Sequence, residues 1–288
     1  MLRQITTTPT IARRESGEGA PVLMLHGSAS NARQWRWTAE YLQGRFRTIA
    51  VDLPGYGGSD PLPGKHPQPL ATVAATLGPL IAEQGRPVHL VGHSFGGAVA
   101  LKVAGLLPGT VASLTLIEPA AFGPYWARHG SDAPASRPFR AMARAVSAAL
   151  AGGDRWEATR LFFDFWNGPG AWARTSFDLQ RRLASTAAQV WRDFHALDLE
   201  RTTDAELSAI ACPVQILRGA DSPAIMAALC DHLAGAVPGA RQRVIAAAGH
   251  MLPLTDPHVV DPLIGEFLVR AERRWQDASC NVAGELAA

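Results

Sequence analysis

The chain has 288 residues, 47% of them hydrophobic, and its 27 Lys and Arg nearly balance its 25 Asp and Glu. A chain of this length and composition can fill one large core. A formal net charge of +2 without a basic stripe or an acidic tail argues against a nucleic-acid partner. The three cysteines, Cys212, Cys230 and Cys280, have neither metal-site nor disulfide spacing.

The N-terminus and the most apolar segment bear on cellular location. Residues 1–10 contain one arginine and four threonines and lack the continuous apolar segment of a signal peptide. The segment Leu70 to Ala82 is interrupted by Thr, Gly and Pro, whereas a membrane span needs about 18 apolar residues. We therefore expect a soluble, cytoplasmic protein without a membrane partner. The sequence predicts no oligomeric state.

Strands and helices alternate along residues 1–119. The apolar and β-branched runs predict six strands, at Leu2 to Thr8, Thr10 to Arg14, Val22 to Leu25, Phe46 to Val51, Val88 to Gly92 and Leu114 to Ile117. A helix capped by Asn31 and a helix from Pro69 to Gln84 lie between them. This alternation predicts an α/β fold with a mostly parallel, doubly wound sheet and right-handed crossovers.

The strand pattern stops between residues 120 and 209 and gives way to helical patterns rich in aromatic residues. Helices are predicted over Ala141 to Ala151, Arg155 to Trp166 and Phe177 to Leu199. We interpret this segment as a helical cap that is inserted after the sixth strand and lies over the strand ends.

The alternation resumes after residue 209. Pro213 to Leu217 and Arg241 to Ala246 are predicted strands, and Ala224 to Leu233 and Pro257 to Arg274 are predicted helices. We therefore predict a core of residues 1–119 and 210–275, a cap of residues 120–209 and a C-terminal tail of residues 276–288.

A strand, a tight turn and a helix are predicted around Ser94. The apolar run from Val88 ends at Gly92, and Ser94 lies between Gly92 and Gly96. In a GxSxG turn a strained backbone holds the serine so that its hydroxyl stands at the carboxyl end of a parallel sheet. The first hypothesis is therefore that Ser94 is a nucleophile.

The candidate base is a histidine that follows the last predicted strand. A serine hydroxyl needs a base to accept its proton and an acid to orient that base. His250 comes a few residues after the strand Arg241 to Ala246. His93 directly precedes Ser94, but adjacent residues on a tight turn point in different directions, and His89 lies inside a strand. We therefore choose His250.

Two carboxylates that follow strands are candidates for the acid. Asp221 follows the strand Pro213 to Leu217, and the chain order Ser94, Asp221, His250 is the order expected of this architecture. Glu118 follows the neighbouring strand and is the alternative. Asp52 also ends a strand, but its Gly-rich loop favours a turn-capping role. We choose Asp221.

Acyl transfer also needs hydrogen-bond donors for the oxygen that becomes negative in the tetrahedral intermediate. The backbone N–H of Phe95, at the start of its helix, is one candidate. The second is expected in the loop after Leu25, where His26 and Gly27 allow the chain to turn. Ser28 or Ala29 could supply that N–H, and we choose Ser28.

Several ordered motifs now point to one family. They are His26-Gly27, the loop from Asp52 to Asp60, the segment from Gly92 to Gly97, the segment from Gly219 to Asp221, and Gly249-His250. With these motifs the chain resembles the α/β-hydrolase fold family, in particular its esterase, haloperoxidase-like and C–C hydrolase members. Ser94 departs from the Asp that dehalogenases and epoxide hydrolases of this fold use as nucleophile, so those two activities are not expected.

The aromatic cap suggests an apolar pocket for an acyl or aryl group. The candidate substrate-binding residues are Trp126, Phe162, Phe165, Trp166 and Met251. Ring-cleavage C–C hydrolases resemble this chain in Ser28 and Ser94 but usually place a Trp directly after the histidine, where this chain has Met251. Arg128 or Arg174 could bind a substrate carboxylate.

The combined hypothesis is a serine hydrolase that cleaves a small carboxylic ester through an acyl-enzyme, with Ser94, His250 and Asp221 as its triad. The mechanism calls for no metal, nucleotide or other cofactor, and its partner is a small-molecule substrate. The alternatives are hydrolysis of a C–C bond in a ring-cleavage diketone, amide hydrolysis, and a ligand receptor that keeps the fold.

Overall fold

A computed structural model describes residues 9–286 of the chain, and within them seven strands form one sheet. The strands are β1 (Arg13–Ser16), β2 (Ala20–Leu25), β3 (Phe46–Val51), β4 (Val88–His93), β5 (Val111–Ile117), β6 (Val214–Gly219) and β7 (Arg241–Ile245). Their spatial order is β1-β3-β2-β4-β5-β6-β7. β1 pairs antiparallel with β3, and all other pairs are parallel. The predicted mostly parallel α/β sheet is confirmed.

Helices connect the strands. They are α1 (Arg36–Leu42), α2 (Leu70–Ala75), α3 (Gly78–Ala82), α4 (Phe95–Leu106), α5 (Phe122–His129), α6 (Ser136–Ala151), α7 (Arg155–Asn167), α8 (Phe177–Ser185), α9 (Ala187–Asp198), α10 (Asp204–Ser208), α11 (Ala224–Ala236), α12 (Leu252–Thr255) and α13 (Pro257–Leu286). In the described part of the chain, two short 3₁₀ segments cover Ala32–Trp35 and Trp172–Arg174. No helix in residues 9–286 combines the length and the apolarity needed to cross a bilayer.

Two hydrophobic cores lie on opposite faces of the sheet. Along β2, Leu23 and Leu25 join one core, whereas Val22 and Met24 join the other. This division follows from the two-residue period of a strand, and it explains why β2 is apolar throughout. The first core includes side chains of α2, α4 and α11, and the second includes side chains of α1 and α13.

The strand order places a crevice at the carboxyl ends of β2 and β4. The chain moves from β2 outward to β3 and then crosses back to β4 on the other side of β2. The loops after β2 and β4 therefore diverge, and such a switch point is where open α/β sheets bind ligands. Ser28 follows β2 and Ser94 follows β4, so two predicted functional residues lie at this point.

The predicted strands are found with small changes in their ends, and two N-terminal predictions need comment. The segment Leu2 to Thr8 lies outside the described residues. The next predicted strand, Thr10 to Arg14, is found at Arg13–Ser16. The helical segment therefore follows the fifth strand of the part that the structure describes, whereas the count of six included Leu2 to Thr8.

Several predicted helices are divided or extended. The helix predicted from Pro69 to Gln84 is two helices, α2 and α3, because Pro79 has no N–H with which to continue the first one. The helix predicted from Phe177 to Leu199 ends at Ser185 and restarts at Ala187. α13 continues past Arg274 to Leu286, where the sequence predicted a tail.

Candidate active site

Ser94 lies at the sharp turn between β4 and α4. Its backbone has φ 53° and ψ −118°, a conformation that non-glycine residues rarely adopt. The turn is held by the Ser94 N–H, which donates to the carbonyl of Ile117 at 3.0 Å. The strained backbone sets the serine at the carboxyl end of β4, as the GxSxG pattern predicted.

The structure brings His250 to Ser94. His250 Nε2 lies 3.0 Å from Ser94 Oγ, and the imidazole is buried in the turn after β7. His93 takes no part in this contact, since its Nε2 lies 2.9 Å from the backbone carbonyl of His250. His89 is satisfied inside the core by Ser113 and Glu272, at 2.8 and 3.1 Å.

Glu118, not Asp221, is the carboxylate on His250. Glu118 Oε2 lies 2.7 Å from His250 Nδ1, and Glu118 is fully buried. Its other oxygen accepts hydrogen bonds from the Gly219 N–H at 2.8 Å and the Ser222 hydroxyl at 2.6 Å. Because an ionised carboxylate only accepts hydrogen bonds, His250 carries its proton on Nδ1 and keeps Nε2 free to accept from Ser94.

The choice of Asp221 was therefore wrong. Asp221 is exposed, and its backbone N–H donates to the carbonyl of Ala248 at 2.9 Å. The turn after β6 thus presents Ser222 to Glu118 in place of a carboxylate to His250. Glu118 follows β5, which pairs directly with β4, so its carboxylate lies one strand from the serine turn.

The loop after β2 lies against the serine. A Cβ on Gly27 would lie only 3.2 Å from Ser94 Cβ and 3.1 Å from His93 Nδ1, so a side chain there would push these neighbours away by a few tenths of an ångström. His26 Nδ1–H donates to the Gly27 carbonyl at 2.7 Å, and His26 Nε2 accepts from the Leu53 N–H at 2.9 Å. Burial lowers the pKa of His26 to about 4, so the ring is neutral and structural.

A buried hydrogen-bond chain joins this loop to the histidine loop. Gln34 Oε1 accepts from the Gly27 N–H at 3.2 Å, and Gln34 Nε2 donates to His93 Nδ1 at 3.2 Å. His93 Nε2–H then donates to the carbonyl of His250. Burial lowers the pKa of His93 well below its usual value, which keeps the ring neutral and able to both accept and donate.

A buried carboxylate from α9 meets the same loop. Asp193 Oδ2 accepts hydrogen bonds from the Ser28 and Tyr56 hydroxyls, both at 2.5 Å, and Oδ1 accepts from Gln189 at 3.1 Å. The sequence analysis missed Asp193. Its spacing from Val190 and Leu197 puts it on the buried stripe of α9, and a carboxylate on such a stripe was a readable signal.

Three of the predicted substrate-binding residues cluster over the site. Trp166 stacks on His250, with ring centroids 4.0 Å apart and an interplanar angle of 29°. Phe165 meets Trp166 edge-on at 4.8 Å. Phe162 lies 6.4 Å from the Trp166 ring and lines a small cavity together with Ala29 of the loop after β2.

The remaining candidates lie elsewhere or have other partners. Trp126 stacks on Phe122 at 5.1 Å and lines a groove of about 200 Å³ between α5, α6 and α9, whose walls include neither Ser94 nor His250. Met251 is half-buried beside His250. Arg128 pairs with Asp204 at 3.3 Å, and Arg174 donates to the Pro169 carbonyl at 3.4 Å. Within residues 9–286, no cluster of three or more His, Cys, Asp and Glu side chains is placed to hold a metal ion.

Relatives named as hydrolases match this chain. A pimeloyl-[acyl-carrier protein] methyl ester esterase from Methylococcus capsulatus is 41% identical over 102 residues, which are 35% of this chain and 38% of that protein. This match thus covers little more than a third of the relative's length. An (E)-2-((N-methylformamido)methylene)succinate hydrolase from Acinetobacter baylyi is 24% identical over 92% of this chain and 96% of its own length.

Solved structures and a family model agree on the fold. A thermophilic esterase from Thermogutta terrifontis superposes with a TM-score of 0.68 at 24% identity, covering 91% of this chain and 93% of that one. The model of the alpha/beta hydrolase family matches residues 22–262. With the serine turn, the parallel sheet and this match, the chain belongs to the alpha/beta hydrolase family.

Proposed function

We propose that this protein is a serine hydrolase that cleaves small carboxylic esters through an acyl-enzyme. The observation that carries the proposal is the position of the His250 imidazole, with Nε2 at 3.0 Å from Ser94 Oγ and Nδ1 at 2.7 Å from Glu118 Oε2. A nucleophile, a base and an acid in this order form the triad that activates a serine. Here the acid is a glutamate from an earlier strand than the sequence predicted.

In the acylation step Ser94 Oγ attacks the ester carbonyl while His250 Nε2 accepts the hydroxyl proton. The C–O bond to the alcohol then breaks, and His250 returns that proton to the leaving oxygen. Glu118 holds the imidazole in the tautomer with Nδ1–H and stabilises the imidazolium that forms between the two transfers. In deacylation a water molecule takes the place of the alcohol and releases the acid by the same proton transfers.

Two backbone N–H groups are proposed to bind the oxyanion. Phe95 is the first residue of α4, and the first N–H groups of a helix have no acceptor within the helix. The second N–H is that of Ser28, in the loop whose Gly27 lies against Ser94. Removing one such donor typically costs about 10²- to 10³-fold in kcat.

The acyl or aryl part of the substrate is proposed to lie under the cap. Phe162, Phe165 and Trp166 form an apolar wall that continues from the stacked face of His250. An apolar wall favours a hydrocarbon group over a charged one because it offers no replacement for lost hydration. The names of the methyl ester esterase and the thermophilic esterase also favour ester chemistry.

The test is turnover of a panel of aryl esters of rising acyl length, with one ring-cleavage diketone and one aryl amide alongside. Wild type is compared with Ser94→Ala and with Ser208→Ala, which changes an exposed serine on α10. We expect Ser94→Ala to lower ester kcat by roughly 10⁴-fold or more, and Ser208→Ala to match the wild type. A fluorophosphonate should label the wild type at Ser94 and leave Ser94→Ala unlabelled.

Each other outcome has a distinct meaning. Unchanged ester turnover in Ser94→Ala contradicts the mechanism. Faster cleavage of the diketone or of the amide replaces the proposed bond type with one of those two. Fewer than a few turnovers per molecule on every substrate indicates a receptor that retains the fold.

A further inference from the structure

Asp193 connects the helical segment to the catalytic loops of the sheet. It lies on α9, yet two of its hydrogen-bond donors come from the core, Ser28 after β2 and Tyr56 after β3. The third donor is Gln189, one turn earlier on α9. Gln189 itself packs closely on Gly55, so a Cβ at that position would displace the end of the Gln189 side chain. α9 therefore packs directly on the loops after β2 and β3.

The Asp193 carboxylate is almost completely buried. Asp193 is 2% exposed, and Tyr56 is equally buried. A buried carboxylate is costly unless donors surround it, so its three hydrogen bonds define one position for the helix on the loops. The same burial raises the pKa of Asp193 to about 7 and the pKa of Tyr56 well above its usual value.

The hydrogen bond to Asp193 fixes the residue that carries the proposed oxyanion donor. Ser28 Oγ points to the cap carboxylate, and the next residue, Ala29, adopts a left-handed backbone with φ 59°. An alanine in this conformation persists only when its surroundings hold it there. Gly27 on the other side is anchored through Gln34. Asp193 is thus the cap-side anchor of a loop whose core-side anchor is Gln34.

We propose that Asp193 is a positioning residue that holds the Ser28 N–H toward the oxyanion, so that the oxyanion hole is complete only when the cap is docked on the core. This inference rests on the proposed function, since it assigns a role within the same acyl transfer. Asp193 acts through Ser28 and Tyr56 and does not touch the reacting atoms. The cap then contributes to kcat as well as to the binding of substrate.

The test separates kcat from KM in Asp193→Asn and Asp193→Ala. We expect kcat to fall by about 10- to 100-fold, less than the loss of a whole oxyanion donor, while KM stays within about threefold. Asp198→Asn is the matched control, because it makes the same change at an exposed position of α9. It should retain wild-type kcat.

A double-mutant cycle with Ser28→Ala tests the route of the effect. If Asp193 acts through the Ser28 hydroxyl, Asp193→Asn should change kcat by no more than about threefold in the Ser28→Ala background. Tyr56→Phe removes the second core donor and should give a smaller loss of kcat on its own. Full additivity of the Ser28 and Asp193 losses would contradict the proposal.

The dependence of kcat on pH also tests the proposal, because a purely structural role of Asp193 would not change it. The groups that face Asp193 are Ser28, Tyr56, Gln189 and the nearby Arg192, with His26 edge-on to Tyr56. Protonation of Asp193 below about pH 7 replaces the ionic acceptor of two hydroxyl donors by a neutral carboxyl group, which weakens these two hydrogen bonds even though burial of the neutral group is less costly. The fall of kcat toward acid pH should therefore be steeper in the wild type than in Asp193→Asn.

The outcomes distinguish this inference from the proposed function. Asp193 variants that fold, as judged by circular dichroism, and keep wild-type kcat overturn the inference. A rise in KM with unchanged kcat also overturns it, because it indicates substrate binding. If Asp193→Ala does not fold, Asp193→Asn and Tyr56→Phe decide the question. Turnover that survives in Ser94→Ala overturns the proposed function instead.

Discussion

The sheet edge that carries Ser94 and the helical segment between β5 and β6, here called the cap, place the side chains of the candidate site by different means. At the sheet edge Ser94, Glu118 and His250 each follow a strand directly or within a short turn, so the pairing of β4, β5, β6 and β7 sets their distances. In the cap Trp166 and Asp193 lie within helices and reach the site only because the helices pack on the core. Strand pairing therefore sets the positions at the sheet edge, whereas the positions of Trp166 and Asp193 depend on how the helices pack on the core.

Backbone strain follows the same division. Four non-glycine residues in the described chain have a positive φ: Ala29, Ser94, Glu118 and Ala247. All four lie in the turns after β2, β4, β5 and β7 that surround the crevice, and none lies between α5 and α10. Strained residues persist where the surrounding structure over-determines them. The strained backbone of the site therefore lies at the sheet edge, and the cap contributes its side chains from unstrained helices.

The largest expected effect concerns the sheet edge. Glu118→Gln should lower ester kcat by roughly 10⁴-fold, because the amide no longer selects the Nδ1–H tautomer of His250 or stabilises the imidazolium. Asp221→Asn is the control and should keep kcat within about twofold, since Asp221 is exposed. Steady-state kinetics on one aryl ester decide between them, and a reversed pattern would restore Asp221 as the acid.

The second effect concerns the free energy of unfolding, to which the burial of Asp193 contributes. The folded-state pKa of Asp193, about 7, lies above its usual 3.8. The folded state therefore binds more protons between these values, and the Asp193 contribution to stability is lost as pH rises from about 4 to about 7. The upper limit of this loss is about 4 kcal/mol, at about 1.4 kcal/mol per pKa unit.

Buried His26 and His93 act in the opposite direction, because their lowered pKa values cost stability as pH falls. The readout is therefore the difference between wild type and Asp193→Asn in urea unfolding at pH 5 and pH 8. The variant should gain stability relative to the wild type at the higher pH. Asp198→Asn is again the control, and an unchanged difference between the two pH values would contradict the assignment.

A third effect concerns the aromatic contact between cap and base. Trp166→Ala removes the ring stacked on His250 and should lower kcat by up to about tenfold, since an aromatic pair contributes about 0.5–1.5 kcal/mol. Trp166→Phe retains a ring and should lose less. Trp156→Ala changes a partly exposed cap tryptophan and serves as the control. Equal kcat in Trp166→Ala and the control would show that the stack does not orient His250.

The smallest expected effect concerns Ser222, which lies at the sheet edge beside Glu118. Ser222→Ala removes one of the donors to Glu118 Oε1, while the Gly219 N–H remains. The hydroxyl is one of three donors to this carboxylate and does not touch the reacting atoms, so kcat should fall only about fivefold, which is about 1 kcal/mol at about 1.4 kcal/mol per factor of ten. Ser208→Ala is the control. A loss as large as that of Glu118→Gln would mean that Ser222 contacts the reacting groups directly.

The sequence predicted the sheet edge well because its signals are local. An apolar run that ends in Gly92-His93-Ser94 marks both a buried strand and a tight turn, and Gly249 before His250 marks another strand end. Local sequence does not decide between Glu118 and Asp221 as the acid. Both residues follow strands, and only the packing of the turn after β6 shows that Asp221 faces solvent while Ser222 faces Glu118.

The cap was harder to read because helix packing is set by many weak contacts. Its helical character was predicted, but the break at Thr186 and the helix α5 were missed, since no Gly or Pro marks the first and α5 itself begins at Phe122-Gly123-Pro124. Among its aromatic residues, periodicity could not separate Trp166, on the histidine, from Trp126, in another groove. Asp193 became meaningful only once its core partners were known.

The pairing of β5 with β6 has a consequence for exchange of the cap between relatives. β5 and β6 are adjacent and parallel, with Leu114 paired to Val214, so all the helices between them connect one strand to its direct neighbour. Recombination or engineering could replace the intervening helices without changing the strand order. If Asp193 acts as proposed, a transplanted segment that lacks an acceptor for Ser28 would leave Ser94, His250 and Glu118 in place and still give a low kcat. A replacement segment should therefore be chosen first for an acceptor that can bind the Ser28 hydroxyl, and only then for the shape of its pocket.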